Sequence, residues 1–478
     1  MRRVSCLAAG ALLVLAGAAG CGNQYRPVIS PVTPTGPAAQ PSAFTVVFSQ
    51  PQQTLAAPGG ANPCSPSAYA NPGIVTLVDF SGDSIIAQAQ IGQGPISTAL
   101  DGAGSTAYAV TCDAGGKGAS ISTVPISTQL QTKNVGTTTL LESSIPATNM
   151  LVTNSGQYVT QLGSNTVGAF LTSSASAPSL NQEIPVAPSL INVTGIYNAV
   201  RVYAISQGNT GAGGAVSWGQ CDNPSSVTVN GEADGIEVTN NTVSSRLPLG
   251  ICPVYGVGTL DGKRTFIMNR GSGTVTVIDS QKNVLDTQTL STYLHNATIP
   301  VGAGPVSADL LTQGTSNASL LITANYDSNT VSIINVALDV FGNDSPNFGQ
   351  VLATIPVGKN PSSVTILGDG SRAYVANEGD GTVSVINLTT FTVQKTIPVN
   401  GHPRSIVSTY NAPIGKVYTV ATDSSLLTII RTDVDAVSAT VQLQGNGIDA
   451  RTTTQFAGSS GATANQNTQS RSMGSGEP

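Results

Sequence analysis

The chain has 478 residues, of which only 9% are charged and 5% aromatic, with a net charge of −6; soluble domains usually carry about 25% charged residues. Scattered cations on an acidic chain make a poor polyanion binder, which argues against nucleic acid as a partner. Gly, Ser, Thr, Asn and Val fill the composition, and no window past the extreme N-terminus holds helical periodicity, so many short strands joined by tight turns are expected.

Met1-Arg2-Arg3 is a basic start, and residues 4–19 form an apolar run too short to span a bilayer comfortably. Ala18-Ala19-Gly20-Cys21 resembles a bacterial lipobox, with Ala18 where Leu is usual. The resemblance implies a signal peptide over 1–20, lipidation of Cys21 and an exported protein held at a membrane; Gly22, in place of Asp, points to the outer membrane or cell surface in a Gram-negative host. Loss of residues 1–20 leaves 17 Lys and Arg against 25 Asp and Glu, a net of −8. Residues 21–43 carry Pro27, Pro31, Pro34, Pro37 and Pro41 with no apolar pattern. Such a segment is an extended tether of about 3.1 Å per residue.

A repeat then occupies 44–455. Its clearest copy is Arg372-Ala-Tyr-Val-Ala-Asn377-Glu-Gly-Asp-Gly-Thr-Val-Ser-Val-Ile386, a strand ending in Asn, a polar turn and a Val/Ile strand. With the four strands of a repeat lettered a to d, strand b is predicted at 44–49, 107–111, 158–162, 202–206, 265–269, 320–325, 373–377 and 417–422. Strand c is predicted at 74–80, 119–124, 166–171, 235–239, 274–278, 330–334, 382–386 and 426–430. The links from d to a include Leu247-Pro-Leu-Gly, Ile299-Pro-Val-Gly, Ile355-Pro-Val-Gly and Ile397-Pro-Val-Asn, each running on to Pro253, Pro305, Pro361 and Pro403. Pro at a first strand position costs no ladder bond. Val275, Val277, Val383 and Val385 alternate with hydroxyl residues, whereas Ile278 and Ile386 break the alternation, as expected where both sheet faces are covered. Asn269, Asn325 and Asn377 are predicted to turn the chain through left-handed backbone.

One copy cannot bury its own faces, so the copies must pack on each other. The residues resemble the YVTN family of β-propeller repeats, strongly over 264–430 and weakly over 44–250. The resemblance implies an all-β propeller of four-stranded antiparallel blades around an axis, seven in the usual case. Eight repeats are present, so seven or eight blades are expected, the weak repeat at 106–157 being the candidate non-blade. The first repeat lacks a strand a, and residues 448–455 follow the last strand d. This C-terminal strand is predicted to close the ring and remove its free edge. Residues 456–478, rich in Gly, Ser, Asn and Gln, are expected to be a disordered tail.

Four cysteines remain after Cys6 and Cys21: Cys64, Cys112, Cys221 and Cys252. An even count in an exported chain predicts two disulfides, with three possible connectivities; Cys64–Cys112 and Cys221–Cys252 would each tie a long insertion to a neighbouring repeat. No Cys-x-x-Cys spacing suggests zinc.

The insertions at 50–73 and 207–234 share one propeller face with the d–a links, and loops on a rigid scaffold are where binding is expected. Tyr69 and Trp218, the one Trp, are the candidate partner contacts; the other reading is that they cap the insertions' own small cores. The two histidines, His295 and His402, fall on opposite faces, which leaves a catalytic triad or His-rich metal site hard to build. Asp327, Glu378, Asp380 and Asp423 all follow strand b, so calcium is the one metal with candidate ligands; acidic turn residues in water are the other reading. The sequence shows no repeated set of carboxylates or cations converging on the axis. The expected function is a non-enzymatic, membrane-anchored monomer binding a protein or glycan. The alternative is a lactonase-like or quinoprotein-like enzyme with its site at the central channel.

Overall fold

The structure is a computed structural model that describes residues 44–51, 71–112, 119–126, 136–139, 147–161, 165–173, 176–208, 216, 219–287, 291–313, 317–409 and 415–453. The signal, the tether and the tail expected at 1–20, 21–43 and 456–478 lie outside the described residues, as do Cys21, Cys64, Tyr69 and Trp218.

The strands form seven hydrogen-bonded sheets, all antiparallel, and the first of these holds seven strands. That sheet is two blades. Its 16-residue strand Ile85–Leu100 pairs with Pro72–Asp79 through its first half and with Thr106–Cys112 through its second. It therefore serves as strand d of blade 1 and strand a of blade 2. The inner strands of the remaining blades are Ala147–Thr153, Leu190–Thr194, Pro253–Gly258, Pro305–Gln313, Pro361–Ile366 and Pro403–Ser408, for blades 3 to 8. Blade 1 takes its inner strand from the C-terminus: Asn446–Thr452 pairs with Phe44–Gln50, as predicted. Phe44 N donates to Thr453 Oγ1 at 3.2 Å and Thr453 N to Phe44 O at 3.0 Å, which clasps the two ends.

The core confirms the count. Eight apolar clusters each sit between two consecutive blades, the last between blades 8 and 1. Residues 106–157 hold strands b, c and d of blade 2 and strand a of blade 3, so this stretch is not the non-blade the degenerate sequence suggested. Val275 and Val277 pack toward blade 6 while Ile278 packs toward blade 4, and Val383 and Val385 toward blade 8 while Ile386 packs toward blade 6. The broken alternation is thus the signature of a sheet buried on both sides.

The repeated Asn does not turn the chain. Asn377 is extended (φ −99°, ψ 92°), and the left-handed residues stand four positions later, at Gly273, Asn329 and Gly381. Asn269, Asn325 and Asn377 are fully buried, and each amide donates to two hydroxyls of strand c. The distances are 3.1 and 2.8 Å to Thr274 and Thr276, 3.1 and 2.9 Å to Thr330 and Ser332, and 3.0 and 2.9 Å to Thr382 and Ser384. The preceding link lies on top of this clamp. A Cβ on Gly250, Gly302 or Gly358 would stand 2.9, 2.5 or 2.6 Å from the Asn side chain of the next blade, closer than atoms approach. The Gly of Pro-Val-Gly is therefore small because the Asn is there. Blade 8 exchanges the two: Ala421 ends strand b, and Asn400 in the link donates to Thr428 Oγ1 at 3.2 Å.

Candidate functional site at the channel mouth

The b–c and d–a turns share one end of the ring. In blades 4 to 7 the chain passes the channel mouth one residue after strand b, and the N–H there is tied to the link before strand a. Gln207 N, Arg270 N, Tyr326 N and Glu378 N donate to the carbonyls of Ser189, Cys252, Gly304 and Asn360, at 2.9, 2.8, 2.7 and 3.0 Å. All four acceptors have positive φ, between 50° and 69°, and so aim their carbonyls alike. This is the repeated axial position that sequence reading missed. It repeats in place but not in residue type; the signal was the slot after the strand-b Asn, read across copies.

Arg270 and Tyr326 are coupled. Arg270 forks onto Asp327, Nε to Oδ2 at 3.2 Å and Nη2 to Oδ1 at 3.0 Å, and its guanidinium lies 5.1 Å from the Tyr326 ring centre. Burial raises the Tyr326 phenol, with Glu378 adding and Arg270 and Arg404 opposing. Burial also raises the Glu378 carboxyl, against the pull of Arg404 and His402. Glu378 Oε2 is buried with no hydrogen-bond partner. On blade 8, His402 N and Nδ1 meet Asp423 at 2.8 and 2.5 Å. The hydrogen bond to Asp423 raises the imidazole; burial opposes ionisation of Asp423, but the His402 bonds outweigh it and hold that carboxyl low.

Below the mouth, the inner strands are stitched by polar side chains. Asp449 accepts from Thr98 Oγ1 at 2.6 Å, Ser405 Oγ at 2.5 Å and Arg451 Nε at 2.8 Å, joining blades 1, 2 and 8. Asp309 of blade 6 accepts from Ile366 N of blade 7 at 2.8 Å.

The four acids predicted on this rim do lie on it, but they do not converge on one point. Asp327 serves Arg270, Asp423 serves His402, Asp380 accepts from Lys359 N at 2.8 Å, and Glu378 faces Arg404 and His402. Among the described residues no three potential ligands gather for a metal. His402 and Asp423 form an acid–base pair, 59% and 41% exposed at the side chain. His295 bridges to Thr298 within the excursion that interrupts strand d of blade 5.

The predicted Cys221–Cys252 disulfide is present, with Cα atoms 5.6 Å apart. It ties the 207–234 insertion to the residue before Pro253, and Val216, Cys221, Val227 and Cys252 form the insertion's own small core. Cys112 is also disulfide-bonded.

No family model and no curated protein matches the chain. Solved structures do match its fold. AztD from Citrobacter koseri is 12% identical, with 86% of this chain covering 98% of that one at a TM-score of 0.53. A dihydro-heme d1 dehydrogenase, NirN, is 13% identical, with coverages of 86% and 81% and a TM-score of 0.55. A putative 6-phosphogluconolactonase from Bacteroides fragilis is 11% identical, with coverages of 87% and 99% and a TM-score of 0.50. At such identities the likeness is one of fold, and the chain is a β-propeller.

Proposed function

We propose that this β-propeller, built of YVTN-type repeats, is an exported lipoprotein anchored through Cys21, whose channel-mouth face binds a protein or glycan outside the cytoplasm. The observation that carries the reading is the coincidence on one face of the disulfide-tied 207–234 insertion and the mouth formed by Arg270, Tyr326, Glu378, His402 and Arg404. Rigid strands hold loops there, as binding scaffolds do. A photo-crosslinking residue placed at Ser225, in the insertion, is expected to capture the partner in intact cells. The same residue at Asn343, on the opposite face, is expected to capture none. Capture from Asn343 alone would overturn the reading.

Glu378 favours a second reading, a lactonase-like or quinoprotein-like enzyme at the same mouth. A half-buried carboxyl with Oε2 out of solvent and its pKa raised, near Arg404, suits proton transfer. Turnover of a panel of sugar lactones by the native chain, lost in Glu378→Gln, would establish it over the binding module.

A further inference from the structure

The face opposite the channel mouth carries the a–b and c–d turns. Among the described residues, no large exposed hydrophobic belongs to a d–a or b–c turn. All of them lie in a–b or c–d turns or along strands c and d, at Ile85, Leu171, Leu180, Val200, Val284, Tyr293, Val340, Phe341, Leu352, Val434 and Val437. Two are adjacent and nearly naked: Val340 is 94% exposed and Phe341 85%. An exposed apolar tip of this kind marks an interaction site.

The tip is built, not loose. Asp339 Oδ1 accepts from Phe341 N and from Asn343 N, both at 2.8 Å, and Asp339 N donates to Asn343 O at 2.7 Å. Gly342 supplies the positive φ of 84° the turn requires. At its base, Arg264 of blade 5 holds Asp344 at 2.8 Å, and Phe348 is fully buried. Lys263 Nζ of blade 5 lies against Gly342.

The chain ends leave from this same face. Strand b of blade 1 runs from the a–b side to the mouth, so Phe44 starts at the tip's face, where Thr453 clasps it. We propose that Val340 and Phe341 dip into the bilayer that carries the anchor. The proposal rests on the reading of Cys21 as lipidated: the anchored segment enters the propeller on this side, so the membrane is what the apolar tip meets. The tether over 21–43, at about 3.1 Å per residue, permits but does not enforce approach, and a second membrane contact fixes which face turns to the lipid.

The test is the full lipidated chain in phosphatidylethanolamine/phosphatidylglycerol vesicles, with Phe341→Trp compared with the parent to subtract Trp218. The added Trp is expected to shift its emission to shorter wavelength and to lose intensity to lipids brominated in the acyl chain. Unchanged emission while the protein floats with the vesicles overturns the tip and leaves the anchor standing. A shift that depends on protein concentration without vesicles assigns the tip to a second copy and also overturns it. Mass measurement of the N-terminal peptide reads the anchor separately. If Cys21 carries no lipid, quenching on addition of vesicles still supports the tip and its absence refutes it.

Discussion

Arg264 and Asp344 meet across the boundary between blades 5 and 6, Nη2 to Oδ1 at 2.8 Å, and the same guanidinium has Asp286 at 2.6 Å and Asp279 at 3.7 Å. All four side chains are at least nine-tenths buried; Asp279 also takes Lys282 Nζ at 2.8 Å, so Arg264 is the cation that Asp286 and Asp344 depend on. Removing it leaves Asp286 and Asp344 without their cation, while Asp279 keeps Lys282. Arg264→Leu is expected to cost about 3–5 kcal/mol, read as a lowered denaturation midpoint in urea. A loss within the range of ordinary surface substitutions would show that the acids hold each other's protons instead.

Blade 4 departs from the clamp. Its register puts Ser206 in the Asn slot and Glu232 and Asp234 in the two hydroxyl slots. Asp234 accepts from Ala187 N at 2.6 Å, but burial pushes its carboxyl up to about 6, and Glu232 adds to the rise. The folded pKa then exceeds the ordinary value of 3.8, so between roughly pH 4 and 6 the folded state binds more protons than the unfolded state. Stability contributed by the protonated group is present at low pH and is lost as pH rises through about 6. Asp234→Asn is expected to flatten that slope and to stabilise the protein at pH 7 by up to about 3 kcal/mol. Asp286, raised to about 6 chiefly by burial, keeps a second slope in the same window. Denaturation at pH 4 and 7 measures the difference; equal slopes in variant and parent would refute the assignment.

His402 titrates above its ordinary value because of Asp423. Its preference for the charged form is present at low pH and lost as pH rises through the raised pKa. Asp423→Asn should return the imidazole toward the ordinary value, visible as a downward shift in its NMR titration. With two histidines in the chain, His295 serves as the internal reference. A titration unmoved by the substitution would mean that the pair is not formed in solution.

The blade 8 exchange predicts a rescue. Asn377→Ala strands the hydroxyls of Thr382 and Ser384 and should cost about 1–3 kcal/mol. Gly358→Asn alone collides with Asn377 and should destabilise the protein further. Together the two substitutions reproduce the Ala421 and Asn400 arrangement and should recover stability, giving a favourable coupling energy above about 1 kcal/mol. Additive losses would count against the exchange.

The strands were legible because Val-Thr-Val patterning and Pro-started links recur where packing demands them, and the Asn446–Thr452 closure followed from a missing strand a. The role of Asn377 was not legible. Turn preference and side-chain clamping select the same residue type, and only the register with Thr382 and Ser384 separates them. The mouth position was hidden for the opposite reason. Gln207, Arg270, Tyr326 and Glu378 share a backbone bond, not a side chain, so residue-type matching passes over them. Arg264 and Asp344 are 80 residues apart and belong to different blades, so no local pattern announces their contact.

The clasp between Phe44 and Thr453 spans 409 residues of sequence. Seven of the eight inner strands lie in the blades they complete in passing, whereas the first blade waits for the last strand. Contacts this distant are slow to form. Folding therefore has a defined final act, and until it occurs Phe44–Gln50 is an open edge able to take a strand from another chain.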